Sequence, residues 1–260
     1  MISVISFLII ALVVGFVTAG LKIQFDRFFT IILLVSLAKF SVAESVNVFL
    51  WVILLSAAYI LWQNREKIKG MPAQNKKKFM TLVPLLAFSG VFIGTAVFAS
   101  TSNLVLMITL GILAMLYGLR LMFVHFKPFE FEYKNPKPIY LKICGLLGPV
   151  ISGFFVGFIG TSLKPLKIAF AVKIGKMNLG QVYLGNTITA FYSSLFAILL
   201  HGFYLKNVVM TLNDVWLGIG LWIAIHFVYK ITNVFFKDQW RKTFQIIIGL
   251  ILIIVAFKFL

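Results

Sequence analysis

The strongest constraint on this chain is how completely apolar residues fill it. Ile2 to Leu21 and Ile246 to Phe257 contain no charged side chain, and comparable stretches occupy the length between them. A helix that spans a bilayer needs about 20 such residues. The chain therefore reads as an all-α integral membrane protein with no room left for a soluble domain. Ile2 to Leu21 lacks a basic leader and a clear small-residue cleavage site, and reads as a retained first span. Cys144 is the single cysteine, which excludes an internal disulfide framework.

Ten apolar segments can be drawn, at about 2–21, 27–43, 45–62, 79–99, 103–125, 140–162, 164–178, 179–203, 213–235 and 242–259. The formal net charge of +17 is concentrated in the loops between them. Arg65, Lys67, Lys69, Lys76, Lys77 and Lys78 share one loop; Lys127, Lys134, Lys137 and Lys142 share another. Short basic loops face the cytoplasm, so orientation accounts for the charge and nucleic acid is not an expected partner. Placing loops 63–78, 126–139 and 236–241 on one side requires segments two and seven to cross, which gives ten crossings. An eight-span count with those two pieces re-entrant is the alternative.

Within the apolar background, Gly153 to Lys176 (GFFVGFIGTSLKPLKIAFAVKIGK) mixes glycines, hydroxyls and lysines. Gly153, Gly157 and Gly160 allow close backbone approach and weaken a helix. Pro165 cannot donate a backbone hydrogen bond. A broken helix near Lys164 is expected, and inside a bilayer such a break survives only where protein or a water-filled cavity satisfies its backbone.

The halves of the chain are weakly duplicated. Gly15-Phe-Val-Thr-Ala-Gly-Leu-Lys22 aligns with Gly157-Phe-Ile-Gly-Thr-Ser-Leu-Lys164, and Ala38-Lys39-Phe40-Ser41 with Gly175-Lys176-Met177-Asn178. The expected domains are a first transmembrane repeat, 1–125, a cytoplasmic linker, 126–139, and a second repeat, 140–260. Five segments is an odd number, so the repeats would be inverted, each with a broken or short helix at segments two and seven.

Each half, with its Gly-rich first helix, short apolar segment, polar-opening helix and two closing helices, resembles the TauE/SafE family of sulfite and organosulfonate exporters. Gly90-Val-Phe-Ile-Gly94, Gly111 and Tyr117-Gly118-Leu119-Arg120 are similar to the close of the family's first repeat. The family's run of consecutive glycines is replaced here by Thr18-Ala19-Gly20 and Gly160-Thr161-Ser162. The resemblance implies a multi-pass carrier of the cell inner membrane that moves sulfite or an organosulfonate such as sulfoacetate by alternating access, with homodimerisation left open.

The residues that would handle such an anion are cationic or hydroxylic. Lys22 and Lys164 are the repeat-related pair, Lys39 and Lys167 lie nearby in sequence, and Thr18, Thr161 and Ser162 offer hydroxyl donors. Asn47, Asn186 and Thr187 open segments three and eight and could complete a polar cavity. Each has a structural alternative: lysines reach the interface as helix ends, and hydroxyls and amides join neighbouring helices. Glu44 stands in apolar sequence at the join of segments two and three, while the other acids fall at segment ends or in loops. It reads either as a coupling group for protons or a residue that holds a substrate lysine, or as an interfacial carboxylate facing water. His125, His201 and His226 are dispersed, with no metal-ligand spacing, and no nucleotide-binding loop is present. No metal or cofactor is expected. Two other readings compete, an intramembrane enzyme acting on lipid and a non-transporting membrane scaffold.

Overall fold

Hydrocarbon leaves the backbone no partner but itself, and the computed structural model is accordingly helical. It describes residues 4–21, 28–71, 73–123, 138–173, 179–203 and 210–260. Among these, every regular element is an α-helix: α1 (Val4–Leu21), α2 (Phe29–Ser36), α3 (Val42–Gln63), α4 (Arg65–Lys69), α5 (Ala73–Met80), α6 (Leu82–Ser100), α7 (Asn103–Phe123), α8 (Pro138–Ile159), α9 (Lys164–Lys173), α10 (Leu179–Phe203), α11 (Leu212–Phe235) and α12 (Asp238–Phe257). Eight are long and apolar enough to cross a membrane: α1, α3, α6, α7, α8, α10, α11 and α12. The protein is a multi-pass membrane protein.

Segments two and seven are short helices. At 1.5 Å per residue, α2 and α9 rise only about 12 and 15 Å, against a hydrocarbon core of about 30 Å. The basic loop 63–78 is also more ordered than a loop. It folds into α4 and α5, because Arg65–Lys69 and Ala73–Met80 are rich in good helix formers. Most of the expected linker 126–139 lies outside the described residues, and α8 begins at Pro138.

The chain forms two compact units, and the division between them falls inside α3. Unit 1 takes residues 1–52, 101–125 and 210–260, and unit 2 takes 53–100 and 126–209. In unit 1, α1 and α11 run parallel, with Phe7 beside Gly220 and Gly15 beside Ile225 and Val228. Helices α7 and α12 run antiparallel: Gly111 faces Ala256 and Phe259, and Gly118 faces Gly249 and Ile253. Gly118 and Gly249 meet backbone to backbone, each leaving the other no room for a side chain. The Arg241 guanidinium donates to the carbonyls of Ala19 at 2.6 Å and Gly20 at 3.2 Å, satisfying the C-terminus of α1.

In unit 2, α6 and α8 run parallel through two interleaved Gly-x-x-x-Gly pairs. A Cβ on Gly90 or Gly94 would strike the carbonyls of Val150 or Phe154, and one on Gly153 or Gly157 those of Ala87 or Val91. Without a hydrophobic drive between helices in lipid, such backbone contact is what packing has to offer. Helix α10 lies parallel to α6, with Phe88 near Phe196 (5.3 Å between ring centroids) and Phe98 stacked on His201 (4.8 Å).

Candidate functional site

The break in unit 2 spans residues 160–163, between α8 and α9. Helix α8 stops at Ile159 because Gly160 takes a left-handed φ of 73°, which costs glycine nothing. Leu163 is also left-handed, at φ 49°, a strained choice for a branched side chain. The Ser152 hydroxyl donates to the carbonyl of Ser162 at 3.4 Å, tying the break back to α8, and the Lys167 N–H donates to Leu163 at 3.0 Å, opening α9. Pro165 starts the second helix instead of ending the first: in the opening turn its missing N–H has no partner to lose.

Lys164, at the first position of α9, is 1% exposed and among the largest fully buried side chains. Its ammonium sits 3.6 Å from the centroid of the Tyr183 ring on α10, a close cation–π contact. One turn on, the Thr187 hydroxyl donates to the Tyr183 carbonyl at 2.8 Å. Thr161 and Ser162 are buried in the break. The break thus brings Lys164 to the start of α10, where Tyr183 and Thr187 lie, while Thr161 and Ser162 keep to α8 through the Phe155 carbonyl and the Ser152 hydroxyl. Asn186 turns its amide to the Val182 carbonyl at 2.9 Å, and Lys167 is partly exposed.

Tyr183 was not among the residues singled out from the sequence. It stands four positions before Thr187, on the same helix face, but nothing in the sequence pairs it with Lys164. His201, one of the three dispersed histidines noted in the sequence, is fully buried, and with Nε2 3.0 Å from the Gly157 carbonyl it joins α10 to α8 as an interhelical polar group.

The remaining candidates belong to unit 1. Thr18 is buried and donates to the Val14 carbonyl of its own helix at 2.6 Å. Asn47 is buried in α3. Lys39 is exposed, in a left-handed turn at φ 59° after α2. Glu44 is exposed and completes a capping box: its carboxylate accepts from the N–H and hydroxyl of Ser41, both at 2.8 Å, and its N–H donates to the Ser41 hydroxyl at 3.2 Å. Thr211 and Asp214 cap α11 the same way. Lys22, the repeat partner of Lys164, lies outside the described residues, as does Lys176. Among the described residues no three His, Cys, Asp or Glu side chains cluster to hold a metal. Compared with protein-family models, with curated proteins and with solved structures, the chain matches none.

Proposed function

We propose that the protein is a secondary transporter of small sulfur-containing oxyanions, sulfite or organosulfonates such as sulfoacetate, working by alternating access like the TauE/SafE family it resembles. The observation that carries this reading is the burial of Lys164. A lysine at membrane depth costs about 3 kcal/mol on insertion scales, and a position serving packing alone is better filled by a neutral side chain. The Tyr183 ring attracts the cation without carrying a formal charge, so an oxyanion arriving there meets positive potential. Hydroxyls at Thr161 and Ser162 suit the acceptor oxygens of a sulfite or sulfonate.

The reading includes two inverted repeats, 1–125 and 140–260, with five crossings each. Exchange of partners supports it. The first helix of each half pairs in parallel with the fourth segment of the other half, α1 with α11 and α8 with α6, while the fifth segments, α7 and α12, pair with each other. Directions support it too. Because α8 and α10 are both parallel to α6, the chain has to return across the membrane between them, and only α9 and its flanks lie there. Antiparallel α7 and α12 likewise require an even number of crossings between them: α8, α10 and α11 supply three, and α9 the fourth. Residues 160–163 add at most about 13 Å to the rise of α9, which brings the pair close to a full crossing.

One observation favours the scaffold reading. The hydroxyls of Thr18, Thr187, Thr189 and Ser194 all donate to carbonyls of their own helices, the ordinary structural use of such groups. Proteoliposome uptake of radiolabelled sulfoacetate and sulfite separates the two. Wild-type protein should accumulate label, and Lys164→Ala should lower uptake about ten- to a hundredfold, the worth of one hydrogen bond to a charged group, with its elution profile unchanged. Equal uptake by a folded Lys164→Ala protein overturns the assignment of the site. No uptake by wild type, together with no thermal stabilisation by either anion, decides for the scaffold.

A further inference from the structure

Unit 2 carries a concavity at the basic corner formed by α4, α5, the end of α3 and the middle of α10. About 170 Å³ in volume and half open, it has an apolar lining that includes Leu61, Ile68, Phe79, Ile188 and Tyr192. Lys76 is the one charged residue in that lining, and it is also exposed to solvent. Lys77 and Lys78, both exposed, follow it directly. The stretch 65–78 holds six basic residues and one acid, Glu66, whose Oε1 lies 3.5 Å from Arg65 and 3.1 Å from Lys69. The surface is therefore strongly positive, and it lies where the charged loop passes into the apolar span Lys76–Ser100. Trp62, 61% exposed beneath the Arg65 guanidinium, marks the same level, since tryptophan collects at the membrane interface.

We infer that this corner holds one anionic phospholipid, its headgroup phosphate on Lys76 to Lys78 and the upper part of one acyl chain in the apolar cavity. Four to eight basic residues immediately beside a spanning helix make up the electrostatic footprint of anionic lipid. The cavity supplies what a surface patch lacks. At about 30 Å³ for each water-sized group, it takes five or six methylenes, and apart from Lys76 its lining offers water no charged partner. A free phosphate would use the lysines and leave the hollow unfilled. A zwitterionic lipid would fill the hollow but gain little from the lysines.

The test is native mass spectrometry of protein purified into micelles doped with equal phosphatidylglycerol and phosphatidylcholine. Wild type should retain one phosphatidylglycerol in clear preference to phosphatidylcholine. The Lys76→Gln/Lys77→Gln/Lys78→Gln protein should lose that preference by about fivefold for each lysine removed. Ile188→Trp, which fills the hollow and leaves the lysines intact, should lose both lipids. Millimolar inorganic phosphate should displace neither. Equal retention of the two lipids by wild type, an undiminished preference in the triple variant, or displacement by phosphate each overturns the inference. Full retention by Ile188→Trp overturns it as well, because the lipid would then be adsorbed on the surface alone. The three lysines are exposed, so if Ile188→Trp fails to fold, the triple variant and the phosphate competition still decide.

Discussion

Lys164 and Glu44 carry one charge each and end in opposite circumstances. Lys164 is buried against an aromatic face, whereas Glu44 lies at an exposed helix start, its carboxylate engaged by Ser41. Truncating Tyr183 to leucine removes the ring face and should destabilise the protein by about 1–2 kcal/mol, with Tyr183→Phe losing less because the ring remains. Thermal unfolding in detergent checks both. Ser41→Ala should cost about 1 kcal/mol through the lost cap. If capping is all that Glu44 does, Glu44→Gln leaves anion uptake in proteoliposomes close to wild type, and a collapse of uptake would identify a coupling carboxylate instead. The capping role could be read in advance, since Ser41-Val-Ala-Glu44 is the serine-to-glutamate spacing of a capping box. The partner of Lys164 could not: nothing in a one-dimensional string brings residue 183 to residue 164.

Among the elements, the α6/α8 pair depends most on glycine. Both helices display the Gly-x-x-x-Gly spacing in sequence, and the close approach it allows is realised reciprocally. Gly94→Ala should therefore force the backbone away from Phe154 and cost about 1–3 kcal/mol, as overpacking does. Gly145, on the same α8, has nothing within 4 Å of an added Cβ. Gly145→Ala should be neutral or stabilise by up to about 1 kcal/mol through helix propensity. Unfolding midpoints of the two variants, measured side by side, test this directly. The elements themselves were unevenly legible. Eight spans were visible as apolar length, and the two short segments as interruptions in it. Helices α4 and α5 were not, because their polar residues show none of the hydrophobic run by which the spans were found.

For the molecule as a whole, the open question is how often the chain crosses the membrane. In a Cys144→Ser background, cysteines at Lys77 and Lys237 should react with a membrane-impermeant maleimide from the same face, and one at Ser102 from the other. Labelling of Lys77→Cys and Lys237→Cys from opposite faces would mean that α9 does not carry the chain across. Class, approximate span positions and the presence of a break before α9 follow from sequence alone, because a bilayer admits only backbones that satisfy themselves and because glycine and basic residues interrupt apolar runs visibly. Which helices pair, in which direction, and which ring receives the buried lysine were decided by tertiary structure. Those outcomes depend on contacts between residues far apart in the chain, and in lipid, where every face is equally apolar, hydrophobic patterning does not reveal them.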